Sequence, residues 1–79
     1  MGKKRGMGDV LKGIFAGARK RQGLTQQQAG RLLGHTQNTL SYKESHLLGV
    51  KLAEIILMAE AYGLDVYIGG EKLTGGGQK

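Results

Sequence analysis

The chain has 79 residues, no Cys, no Pro, 15 Gly and a formal net charge of +6. A length like this supports one core and no second domain, and it buries only about 60% of the surface that the unfolded chain exposes. The lack of Cys excludes disulfides and thiolate metal sites, and no apolar run approaches the ~20 residues that a membrane-spanning helix needs.

The charge is divided along the chain. Residues 1–43 carry nine Lys/Arg against Asp9 alone, a balance of +8, whereas residues 44–79 come to −2. A basic half beside a mildly acidic one suits a polyanion on one face and a different contact elsewhere. Lys3-Lys4-Arg5 is not followed by the apolar stretch and cleavage site of a secretory signal, so a cytoplasmic location is expected. His35 and His46 are eleven positions apart with no third ligand patterned around them, which reads as exposed or capping histidines rather than a metal pair. No cofactor is expected. With disulfides and metals set aside, association of two copies is the stabiliser that remains for so small a core.

In chain order, residues 1–8 mix Gly with basic charge and read as a flexible basic arm. Asp9 is placed to cap a first helix, whose Leu11, Ile14, Phe15 and Ala18 follow helical spacing and which ends by Gly23. Thr25 caps a second helix from Gln26 to Leu33, with Ala29, Leu32 and Leu33 inward and Gly34 closing it. Thr36 caps a third helix, which runs to Glu44 or Ser45 with Leu40 inward. The helix N-termini set by Thr25 and Thr36 can each meet a DNA phosphate through free N–H groups, which makes Thr36 a DNA-binding candidate. A fourth carries Leu52, Ile55, Ile56 and Ala59 and stops at Gly63. Leu64 to Ile68 changes to period two, with Leu64, Val66 and Ile68 on one side, and reads as a single C-terminal β-strand without a partner strand in the chain. Residues 71–79 read as a flexible tail. The expected fold is mainly α: a four-helix domain over 9–70 with the strand at 64–68 as its last element.

The informative block is Gln22 to Glu44, QGLTQQQAGRLLGHTQNTLSYKE. Two short helices joined by a tight Gly-containing turn form the helix-turn-helix pattern. The first helix of such a pair braces across phosphates, while the second places its N-terminal side chains in the major groove of double-stranded DNA. Gly30 lets the two helices approach closely, and Gly34 suits a left-handed turn.

Arg19, Gly23-Leu24-Thr25-Gln26, Gly30, Gly34 and Leu40-Ser41-x-x-Glu44 together resemble the Cro/C1-type (XRE) helix-turn-helix repressors, over residues 9–68. The resemblance implies a lambda-repressor-like arrangement of the helices. It also implies that Gln26 binds a phosphate at the start of the second helix, and that Arg19 and Glu44 form a structural ion pair. The ending Gly-Leu-Asp-Val-Tyr-Ile is more similar to the HipB-type antitoxin branch, in which a C-terminal strand pairs across the dimer. This sequence departs from the family at Lys43, where an apolar or aromatic residue is usual, and at Ser45-His46, where a Gly commonly follows the Glu.

Gln37, Asn38 and Thr39, just behind the Thr36 cap, open the third helix and are the candidate base readers, since Gln or Asn binds adenine N6 and N7 in a bidentate way. Tyr42 lies four residues beyond Asn38 and either touches a base methyl or phosphate or packs in the core. Lys43 either contacts phosphate with its stem along the core, or marks a rotated helix end. Arg31 and the Arg19-Lys20-Arg21 run are generic phosphate candidates. Ser41 has no His–acid pair around it and is not read as a nucleophile. A lone strand leaves N–H and C=O groups unpaired, so Leu64, Val66 and Ile68 are assigned to dimerisation by pairing with the same strand of a second copy.

An enzyme is not expected: the sequence has no phosphate-cradling loop and too little chain to enclose a pocket. Four aromatic residues leave little for stacking on RNA. The expected function is sequence-specific double-stranded DNA binding, as a homodimeric transcriptional repressor on a palindromic operator. The alternative is an antitoxin that also neutralises a protein toxin, through its acidic half.

Overall fold

The computed structural model describes residues 6–75. Four α-helices follow one another: α1 (Met7–Arg21), α2 (Gln26–Leu33), α3 (Gln37–Ser45) and α4 (Leu52–Ala61), with a 3-10 turn at Leu47–Gly49 between the last two. An antiparallel hairpin closes the described chain. Its strands are β1 (Tyr67–Ile68) and β2 (Glu71–Lys72), with Tyr67 opposite Lys72 and Ile68 opposite Glu71. The mainly α, four-helix architecture is the one expected.

The middle helices begin and end where side-chain chemistry dictates. Thr25 accepts a hydrogen bond from the Gln28 N–H, and the Gln28 side chain accepts one from the Thr25 N–H, a reciprocal capping box. Thr36 accepts from the Thr39 N–H in the same manner. Gly34 ends α2 in the left-handed region, at φ +76°.

The first helix starts earlier than expected. Gly6 is its N-cap, without a side-chain hydrogen bond, and Asp9 lies inside the first turn. There its charge favours the free N–H groups without serving as the cap. Met7 and Gly8 are therefore helical rather than part of an arm; residues 1–5 of that expected arm lie outside the described residues.

The core is formed by Phe15, Ala18, Ala29, Leu40, Leu47, Met58, Ala59 and Tyr62, with Leu11, Leu24, Leu33, Ile55, Leu64 and Val66 packed around it. Phe15 meets Tyr62 edge to face, with ring centroids 6.2 Å apart. Leu32, expected inward, faces solvent instead and is 65% exposed, and Ile14 and Leu52, on the apolar periods of α1 and α4, are exposed as well. Leu32 is turned outward because α2 meets the core along Ala29, Gly30 and Leu33. A side chain at Gly30 would put its Cβ 2.7 Å from the His35 carbonyl oxygen, so the turn backbone passes directly over this glycine.

The C-terminal segment corrects the single unpartnered strand. Gly69 and Gly70 both have positive φ, +61° and +84°, and turn the chain back so that β1 pairs with β2. Glu71 and Lys72, assigned to a tail, are in fact a strand; Glu71 and Lys72 are both exposed and lack the apolar alternation that marks one. The backbone of Val66 is also satisfied within the chain. Its N–H donates to Thr74 Oγ1 at 3.1 Å, and its carbonyl accepts from the Leu73 N–H at 2.7 Å. Leu64 and Val66 pack on their own core, and Ile68 is exposed. The unpaired edge that called for a second copy at Val66 is thus absent. Residues 76–79 of the expected tail lie outside the described residues.

Candidate nucleic-acid interface

Helix α3 is divided sharply between rear and front. Leu40 and Glu44, one turn apart, are 0% and 2% exposed and anchor it to the core. Gln37, Asn38 and Thr39 occupy its exposed first turn, and Thr36 uses its hydroxyl locally, on the N–H and Oγ1 of Thr39. The three candidate base readers are therefore presented together at the N-terminal end of one rigid helix.

Glu44 fixes the angle of that helix. Arg19 Nε of α1 donates to Glu44 Oε2 at 3.0 Å, and Arg19 Nη1 donates to the Leu24 carbonyl at 3.0 Å. Tyr62, just after α4, donates its hydroxyl to the same Oε2 at 2.6 Å. Gln26 of α2 reaches Glu44 Oε1 with Nε2 at 3.4 Å. One buried carboxylate thus ties α3 to α1, to the start of α2 and to the end of α4. Burial first, and then the hydrogen bond that the Tyr62 hydroxyl donates to the Glu44 carboxylate, raise the Tyr62 pKa well above the usual tyrosine range. Gln26, assigned to phosphate by resemblance, is half-buried and turned toward Glu44.

The turn between α2 and α3 is pinned separately. His35 Nε2 lies 2.7 Å from Glu54 Oε2 of α4, and both side chains are about four-fifths buried. His35 is accordingly a partnered residue rather than an exposed one.

Of the two open readings of Tyr42, the structure takes the exposed one. Tyr42 is 64% exposed, with its ring stacked on His46 at 4.0 Å between centroids. The tyrosine in the core is instead Tyr62, which completes the helical spacing Ile55, Met58, Ala59, Tyr62, a signal present in the sequence. Lys43 is half-buried and the helix end is not rotated, since Glu44 beside it is buried. Asn38, Thr39, Tyr42 and Lys43 form one wall of an open groove, and Gly49, Val50, Lys51 and Glu54 complete it. Lys51 adds a cation that no motif in the sequence marks. Arg31, Lys20 and Arg21 are exposed at the ends of α2 and α1.

Among the described residues no helix is long and apolar enough to cross a membrane. No curated protein and no solved structure matches the chain. A family model does match: that of the helix-turn-helix, over residues 17–67, which takes in the Arg19–Glu44 tie, the α2–turn–α3 unit and the exposed first turn of α3. By that match and this geometry, the chain belongs to the Cro/C1-type helix-turn-helix family of DNA-binding regulators.

Proposed function

We propose that the protein binds double-stranded DNA sequence-specifically, as a homodimer on a near-palindromic operator, and represses transcription from it. The observation that carries this reading is the division of α3: a rear locked by Leu40 and Glu44, and a front that presents Gln37, Asn38 and Thr39. In this role Gln37 and Asn38 read base edges, while Lys43, Lys51 and the Thr25 and Thr36 helix N-termini meet phosphates. Gln26 contributes indirectly, by bracing Glu44. The basic balance of residues 1–43 supplies the long-range attraction to a polyanion.

The homodimer is supported by the hairpin. Tyr67 and Ile68 alternate in direction along β1, yet they are 58% and 53% exposed, so neither face of the hairpin is fully covered. An isolated two-stranded hairpin is marginal in water, and a second copy packed on Ile68 would support it. Leu64 and Val66 then serve the dimer from behind, by seating the hairpin on the core. Two-fold symmetry would place the recognition helices about 34 Å apart, on successive major grooves.

An antitoxin of the HipB type would dock its toxin on exposed apolar side chains of the acidic half, Leu57, Tyr67 and Ile68. Duplexes selected from random DNA by the purified protein should share a near-palindrome, and sedimentation should give twice the 8.5 kDa chain mass. Ile68→Asp should sediment as a monomer and lose affinity for the selected duplex. Selection of no common sequence would reject the function, and a wild-type monomer that binds single half-sites would reject the dimer.

A further inference from the structure

Tyr42 and His46 form a stacked pair on the outside of α3, with ring centroids 4.0 Å apart and planes within 14° of parallel. A second contact ties them: His46 Nδ1 lies 2.8 Å from the Tyr42 carbonyl oxygen. A carbonyl only accepts, so Nδ1 carries the proton and donates. His46 is also the C-cap residue of α3, so the ring that covers Tyr42 is fixed at the helix end. The pair does nothing for the core, whose aromatics are Phe15 and Tyr62. Tyr42 does, however, stand one turn beyond Asn38, and both line the same open groove.

We propose that His46 is a specificity-determining residue that acts through Tyr42: it positions the Tyr42 ring to meet a thymine methyl beside the base pair read by Asn38. This inference rests on the DNA-binding reading above. Stacking covers one face of the Tyr42 ring, and the side chain, still 64% exposed, keeps free surface beside the groove that it lines. An exposed tyrosine loses rotamer freedom when it docks on DNA, whereas one already held by a neighbour has lost most of it beforehand. The apolar ring is matched to the methyl group that distinguishes thymine in the major groove. His46 needs no DNA contact of its own for this.

The test is a double-mutant cycle of Tyr42→Ala and His46→Ala. Binding is measured on a duplex selected by the wild-type protein, on random DNA, and on the selected duplex with each thymine replaced in turn by deoxyuridine. Wild type should be sensitive to loss of one methyl in each half-site, and Tyr42→Ala should lose that sensitivity. His46→Ala should weaken the selected duplex by about 2- to 10-fold, the cost of ordering one side chain, with little change on random DNA. In the Tyr42→Ala background it should cost nothing further. His46→Phe, which keeps a stacking ring, should restore most of the binding, and His46→Asn, which keeps a capping donor, should not. A mere helix cap would give the reverse: rescue by His46→Asn, equal losses on all duplexes, and costs that add to those of Tyr42→Ala. That outcome overturns the proposal while site selection by the wild type stands. A wild type that prefers no sequence overturns the DNA-binding reading itself, and the proposal with it.

Discussion

Glu44 is the residue on which the presentation of α3 depends, because three other elements bind its two oxygens. Arg19→Ala leaves that carboxylate buried without its cation, and such removals cost about 3–5 kcal/mol when the pair is well buried. Arg19 and Glu44 are 7% and 2% exposed, so a loss near that range is expected in urea unfolding. A variant that unfolds like wild type but fails to bind DNA would make Arg19 a contact residue instead. Tyr62→Phe keeps the edge-to-face contact with Phe15 and removes one hydrogen bond to a charged group, worth about 1.5–3 kcal/mol. It should also change the alkaline limb of the stability profile. The folded state holds the Tyr62 proton above the pH at which the unfolded chain releases it, so this contribution is complete below about pH 10 and is lost as pH rises beyond it. Tyr62→Phe should therefore fall less steeply than wild type above that pH, and superimposable slopes would contradict the assignment. The Arg19–Glu44 tie was legible in the sequence only through the family resemblance. Tyr62 was missed because the apolar positions taken for the fourth helix ended at Ala59, although the spacing Ile55, Met58, Ala59, Tyr62 continues to the last residue before Gly63.

At the level of elements, what was legible follows the side-chain caps. Thr25, Thr36 and Gly34 fixed the limits of α2 and α3, since each satisfies or reshapes a helix end directly. The start of α1 was not legible, because Gly6 caps it with no side chain at all. The facing of α2 was misjudged at Leu32, where the approach of the turn backbone overrides hydrophobicity. Gly30→Ala tests that cause. Alanine in place of glycine ordinarily favours a helix interior by about 1 kcal/mol, but overpacking costs about 1–3 kcal/mol, more where the neighbour cannot move. The neighbour here is a backbone oxygen 2.7 Å from the added Cβ, so the clash should win. Net destabilisation, with weaker operator binding as α3 is displaced, is expected from thermal melts and binding isotherms. A Gly30→Ala protein more stable than wild type would show that the turn yields easily. The hairpin was read as one strand because Glu71 and Lys72 have no apolar alternation; its only signal was Gly69-Gly70 between two strand-length runs.

For the molecule as a whole, the helices and the Glu44 tie form a frame whose purpose is to hold one exposed helical turn at a fixed attitude. Charge division was visible from composition, but which residues line the groove was not, since Lys51 and Glu54 reach it only through the 3-10 turn that carries the chain from α3 to α4. The most direct measurement compares wild type, Gln37→Ala and Asn38→Ala for affinity on the selected duplex and on random DNA, at one salt concentration. If the first turn of α3 reads bases, each substitution should cost about 1–3 kcal/mol on the selected duplex and little on random DNA. Equal losses on both duplexes, or no loss on either, would contradict base reading by α3.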